Sequence, residues 1–153
     1  MTERINYSAV APEAYKSMLA MQKYLATSSI DYNLHELIKI RVAQINGCAY
    51  CVDVHTRDAR KHGEEESRIY ALSVWRESPA FTEQERAALE LAETMTLIAG
   101  QGVPIETWEL ANKFFDEKQV ADLILAIITI NAFTRLAITT GMVPGQSKPV
   151  LSK

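Results

Sequence analysis

The stretch "INGCAYCVDVHTRDARKHG", Ile45 to Gly63, holds both cysteines of the chain and two of its three histidines. It opens on Asn46-Gly47, a strong turn signal, and closes on Gly63, the residue type that most readily adopts the left-handed conformation past a helix end. Between these marks the chain predicts a helix over about 48–62. Residues three or four apart share one face of a helix, so Cys48, Cys51 and His55 project to the same side. His62 continues that line two turns later.

Working outward, Leu34, Leu37, Ile38, Arg41, Val42 and Ile45 recur at helical spacing after the polar "DYN" at 31–33. They predict a helix that stops at Asn46, and a tight turn there would fold it against the cysteine helix as an antiparallel hairpin. Ala14, Met18, Leu19 and Leu25 predict an earlier helix over about 11–27, behind Pro12. Downstream, a helix over about 65–75 turns Ile69, Leu72 and Trp75 inward and is broken by "ESPAF". "TEQE" at 82–85 has the form of a capping box, in which Thr82 accepts from the third amide while Glu85 reaches back to the cap amide. The helix it starts runs to about Ala99, ended by Gly100 and Gly102. Pro104 opens another through about Phe115, and the last spans about 117–140 before Gly141. No run alternates as a strand does, so the expected fold is all-α with about seven helices. The expected organisation is one domain over 1–153, with its core at about 11–141 and a loose tail over 142–153.

With 153 residues the chain can bury a core without metals or disulfide staples, and its net charge of −3 supplies no basic stripe for nucleic acid. The N-terminus lacks the pattern of a secretory signal, which points to the cytoplasm. The most apolar stretch, "VADLILAIITINAF" at 120–133, has an uninterrupted apolar part shorter than the roughly 18–20 residues of a bilayer span, so it reads as a buried helix and not as an anchor. The final helix is apolar nearly all round, which calls for cover on more than one side and predicts a homo-oligomer.

In a reducing compartment two cysteines are not expected to be a structural staple, because cellular reductants keep such thiols reduced unless the pair is catalytic or redox-sensing. A CxxC in the first turn of a helix meets free amide N–H groups and a dipole that favours an anion, which lowers thiol pKa values. Glu36 lies ten residues before the turn and His55 eight after it. At 1.5 Å per residue these are roughly 15 and 12 Å along the two axes, so their side chains would meet at about one level. Glu36 could then orient the imidazole that takes a proton from a thiol.

Other readings stand beside this one. The CxxC could be half a zinc site, although only His35, His55 and His62 remain as further ligands and three ligands on one helix crowd a tetrahedron. The cysteines could be core packing. Glu36, three residues after Asn33, could close a helix cap. His62 fits a dipole-compensating end residue and His35 a surface position. Asp53, Arg57, Asp58, Arg60 and Lys61 read as a solvated face with i,i+4 pairing.

Glu36, "INGCAYC" and His55 together resemble the E-x11-C-x2-C-x3-H signature of AhpD-like alkylhydroperoxidases in the carboxymuconolactone decarboxylase superfamily. "INAFTRLA", Ile130 to Ala137, is similar to a run in the last helix of the short members. The resemblance covers about residues 30–140. It implies an all-α domain assembled as trimers or hexamers, and a cysteine pair that reduces organic peroxides without a metal or cofactor. Cys48 and Cys51 would cycle between dithiol and disulfide, Glu36 and His55 would relay protons, and a dihydrolipoyl protein or similar thiol donor would restore the pair. The mycobacterial type carries a histidine just before the second cysteine, where this chain has Tyr50, so the relay here is shorter. The superfamily also contains decarboxylases without the cysteine pair.

Cys51 is the expected attacking thiol because His55 follows it at i,i+4, with Cys48 resolving. The opposing consideration is the stronger dipole at Cys48. The alternatives carried forward are a decarboxylase-like lyase using His55 and Glu36, and a non-catalytic redox sensor.

Overall fold

A computed structural model of the chain describes residues 2–145. Among them are nine α-helices, one short 3-10 helix and no strand. The helices are α1 (Tyr7–Val10), α2 (Pro12–Leu25), α3 (Tyr32–Asn46), α4 (Ala49–Lys61), α5 (Glu66–Ala71), α6 (Glu83–Thr96), α7 (Ile98–Gln101), α8 (Ile105–Phe114) and α9 (Glu117–Thr140). The 3-10 turn Leu72–Val74 extends α5.

Local chemistry places most boundaries. Asp31 caps α3 by accepting the Leu34 amide at 3.1 Å, so this helix begins two residues earlier than the "DYN" signal suggests. Gly47 ends it in the left-handed conformation at φ 68°, and the Cys48 amide returns to the Ala43 carbonyl at 2.9 Å. The Thr82–Glu85 capping box is formed, and a second one at Asp116 and Gln119 starts α9.

Two helical features escaped the sequence pattern. The four-residue α1, capped by Asn6, is too short to show a period. The helix expected to run to Ala99 breaks at Leu97, whose φ and ψ of −98° and 23° separate α6 from α7. Thr94 and Thr96 hydroxyls fold back onto the Glu90 and Ala92 carbonyls just before the break, a contact that bends helices.

α3 is the central strut, packing on α4, α6 and α9 and meeting the 3-10 turn. One apolar cluster lies between α3, α4, α6 and α9, around Ile38, Val42, Leu91, Leu123 and Ile127, and includes both cysteines. A second, around Leu37, Ile40, Leu72, Trp75, Phe81 and Leu89, fills the space between α3, α5 and α6. Each such side chain contributes about 1.5–3 kcal/mol by leaving water. By length and composition α9 could cross a membrane, yet it contacts α2, α3, α4, α6 and α8 as a core helix. Its buried threonines, Thr129, Thr134 and Thr140, satisfy their hydroxyls on its own carbonyls, as Thr129 does on Leu125 at 2.7 Å.

Of the tail expected to be loose, residues 142–145 are tied down. The Met142 amide donates to the Ala137 carbonyl at 3.0 Å and the Gly145 amide to Asp53 Oδ2 at 2.8 Å. Residues 146–153 lie outside the described residues.

Candidate functional site

The hairpin of α3 and α4 carries the expected cluster. Cys48 is the N-cap of α4, in extended conformation, and its sulfur accepts the Cys51 amide at 3.2 Å. Cys51 thus occupies the third helical position, and the two residues are joined by a disulfide with their Cα atoms 5.3 Å apart. That separation is ordinary for the bond and needs no departure from capping geometry. Both cysteines are buried.

One turn further on, His55 Nδ1 lies 2.8 Å from Glu36 Oε2. The level-matching across the hairpin therefore holds, and the reading of Glu36 as a cap does not: Asp31 is the cap, and Glu36 is only 2% exposed. Its second oxygen, Oε1, accepts from Lys39 Nζ at 2.7 Å. Burial alone would raise the Glu36 pKa, but the hydrogen bond from His55 and the charge of Lys39 outweigh it and bring the carboxyl down to about 2. Glu36 is a carboxylate at neutral pH, so the shared hydrogen belongs to Nδ1 of His55 and the neutral ring keeps its lone pair on Nε2.

These groups line a cavity of about 840 Å³ between α2, α3, α4 and α9. Cys51, His55, Glu36 and Tyr50 reach its wall, while Tyr15, Leu25, Ile130, Phe133 and Met142 give it an apolar character. Tyr15 and Phe133 meet edge to face, with ring centroids 6.3 Å apart. Tyr50, between the cysteines, is half-buried, and burial first and Tyr15 second push its phenol pKa upward.

The other histidines divide. His62 caps the C-terminus of α4, with Nδ1 2.9 Å from the Asp58 carbonyl and its ring tilted over Tyr32 at 3.8 Å, which agrees with an end residue. His35, expected at the surface, is 7% exposed and lines the cavity. It sits one position before Glu36 on a helix that is buried on nearly all sides, a property the sequence pattern of α3 alone did not carry. Burial chiefly, with the charge of Lys39, holds its pKa down to about 4, so it is neutral at pH 7.

Asp53 pairs with Arg57 and Asp58 with Lys61, as a solvated face would, but Asp53 also receives the Gly145 amide. The "INAFTRLA" run has a visible task. Asn46 Nδ2, at the end of α3, donates to Asn131 Oδ1 at 3.0 Å and to Thr134 Oγ1 at 2.9 Å. Asn131 in turn donates to Thr96 at 3.1 Å and accepts from Arg135 at 2.8 Å. The middle of α9 thereby fixes the residue two places before Cys48.

Comparison with known proteins gives a consistent picture. The model of the carboxymuconolactone decarboxylase family matches residues 12–94. The chain is 48% identical over 141 residues to the uncharacterised protein YdfG of Bacillus subtilis, covering 92% of this chain and 96% of that one. It is 38% identical to an Agrobacterium tumefaciens protein of unknown function, a candidate AhpD antioxidant defence protein. That crystal structure matches with a TM-score of 0.92, over 95% of this chain and all (100%) of the other. An uncharacterised peroxidase-related protein of Ralstonia eutropha, with an alkylhydroperoxidase AhpD core, shares the fold at a TM-score of 0.80 and 20% identity, over 91% of this chain and 74% of that one. With its CxxC on a helix N-terminus and its Glu36–His55 pair inside an all-α bundle, the chain belongs to the carboxymuconolactone decarboxylase family, in its AhpD-like branch.

Proposed function

We propose that the protein is a thiol-dependent peroxidase that reduces organic hydroperoxides through Cys51 and Cys48, in cytoplasmic antioxidant defence. The observation that carries this reading is the line from Cys51 on the cavity wall to His55 one turn on, and from His55 to the buried Glu36 at 2.8 Å.

In the dithiol state His55 Nε2 takes the Cys51 proton, and Glu36 stabilises the imidazolium through Nδ1. The Cys51 thiolate attacks the terminal, hydroxyl-bearing oxygen of R–O–OH. The O–O bond breaks, Cys51 becomes a sulfenic acid, and the departing alkoxide takes the proton from His55 to leave as an alcohol. The Cys48 thiol then attacks the Cys51 sulfur. The S–S bond forms and water leaves. A dithiol donor, a dihydrolipoyl protein or similar, returns two electrons and two protons by attacking Cys51. The departing Cys48 thiolate is received by the Cys51 amide and the dipole of α4. In this division of labour the N-cap position suits the sulfur that leaves and resolves.

The chain is further proposed to work as a homotrimer or homohexamer, since Ile128 and Ile138 on α9 remain 49% and 45% exposed on a helix otherwise in the core. Sedimentation of the purified protein tests this, and a monomer would remove it.

The decisive experiment is peroxide consumption with dihydrolipoamide in Cys51→Ser and Cys48→Ser variants, with thiols counted before and after. Cys51→Ser is expected to abolish turnover. Cys48→Ser should retain at most a single oxidation per chain. Full turnover in both would sink the mechanism, and activity of a double variant on a lactone would point instead to acid–base chemistry by His55 and Glu36.

A further inference from the structure

Glu36 is held by both carboxylate oxygens, and only one of them meets the histidine. Oε2 lies 2.8 Å from His55 Nδ1, while Oε1 accepts from Lys39 Nζ at 2.7 Å, one turn along α3. The Lys39 side chain is 21% exposed against 2% for Glu36, and both residues line the cavity. A carboxylate gripped at both oxygens cannot rotate about its last bond, so Oε2 stays on the imidazole. When Cys51 gives its proton to His55, the groups in order become thiolate, imidazolium, carboxylate and ammonium, and their charges cancel. Without the ammonium the same set carries one uncompensated negative charge in a buried site, which it relieves by keeping the thiol proton.

The neighbouring ionisable groups do not stand in for this lysine. His35, held down to about 4 chiefly by burial, is neutral at pH 7, and Tyr32, pushed up to about 12 by burial and then by Glu36, is a neutral phenol. Asp58 on α4 and Asp122 on α9 are carboxylates paired with Lys61 and Lys118.

We propose that Lys39 is a positioning residue of the thiol site, holding the Glu36 carboxylate against His55 and balancing its charge so that Cys51 gives up its proton near neutral pH. The lysine acts through Glu36, and its role rests on the assignment of Cys51, His55 and Glu36 as the reacting groups.

The test is the rate at which iodoacetamide alkylates the reduced full chain in a Cys48→Ser background, where Cys51 is the single thiol. At about pH 6.5, adding Lys39→Met is expected to slow alkylation about tenfold, the effect of one lost charge on a nearby ionisation. The two rates should converge at about pH 10, where the thiol is ionised in both. Lys39→Arg keeps the charge and should stay within about threefold of the parent. Lys39→Gln can still donate a hydrogen bond but carries no charge; it should fall as far as the Met variant, and it serves if that variant does not fold. A loss by the same factor at every pH would mean a structural role and overturn the proposal. So would parent-like rates in the neutral variants at pH 6.5, or an Arg variant as slow as the Met one. Alkylation needs no peroxide, so the two conclusions fail separately. A wild type that turns over no peroxide while this pH pattern holds loses the peroxidase reading alone, whereas turnover without the pattern removes only the role of Lys39.

Discussion

Two of the buried glutamates, Glu36 on α3 and Glu93 on α6, are held in chemically different surroundings. Glu93, on α6, accepts from Trp75 Nε1 at 2.8 Å, Arg41 Nε at 2.6 Å and Arg76 Nη1 at 2.5 Å. Burial pushes its pKa up, but these three donors more than reverse that and hold it below the ordinary carboxylate range. Arg76 also lies over the Trp75 ring at 4.3 Å and pairs with Glu90. Glu36 is just as deeply set, yet one of its two donors is a histidine that can carry a proton away, and beside it lie a disulfide and a cavity. Burial and charge neutralisation are common to both sites. What separates them is the partner: two arginines, permanently charged, at Glu93, and an imidazole beside a lysine at Glu36.

The sharpest way to break this contrast is to neutralise each carboxylate in turn. Glu36→Gln should lower peroxide turnover about 100-fold while the chain stays folded, because the imidazolium loses its counter-charge. Glu93→Gln should leave turnover of the folded protein unchanged. It should cost about 3 kcal/mol in urea unfolding, since Arg41 and Arg76 lose a buried partner. Interchanged results would show that the assignment of the two sites is reversed.

Acid separates the two sides again. His35 falls from 6.5 to about 4 on folding, so between these values the unfolded chain binds more protons than the folded one. The stability associated with a neutral His35 is complete above pH 6.5 and is lost as pH falls toward 4, by on the order of 3 kcal/mol. Glu36, lowered from 4.5 to about 2, adds a second loss only below pH 4.5, as its carboxylate protonates. Urea titrations at several pH values should show the first phase in the wild type and a flatter profile over pH 4–6.5 in His35→Phe. An unchanged slope in that variant would assign the phase to another group.

Smaller effects sharpen the picture. Asn46→Ala removes two side-chain hydrogen bonds to α9 and should cost about 1–2 kcal/mol. A larger fractional loss of turnover than of stability would show that the clamp positions Cys48. Asp53→Asn weakens an exposed pair with Arg57 and the link to Gly145, and should shift thermal stability by less than about 1 kcal/mol.

The surroundings of Glu36 are more legible in the sequence than those of Glu93. Cys48, Cys51, His55 and Glu36 are related by helical spacing and by one short turn, so arithmetic along the chain brought them together. Glu93 meets Arg41 across 52 residues of separation, and Asn46 meets Asn131 across 85. No local period encodes such pairs. His35 was misread for a related reason: its burial follows from what α2 and α9 place against α3, and not from the pattern of α3 itself. The break at Leu97 was hidden because an apolar period continues through it.

Consider again the sulfur of Cys48 at the head of α4. Its backbone has the extended shape of any helix cap, and its sulfur already reaches over the first turn to the Cys51 amide. The ring closed by the disulfide is so short that its removal frees little chain entropy, about 2 kcal/mol by the loop-length relation and less in a segment the helix already orders. The proposed cycle, which opens and closes this bond at every turnover, would therefore ask little of the scaffold that carries it.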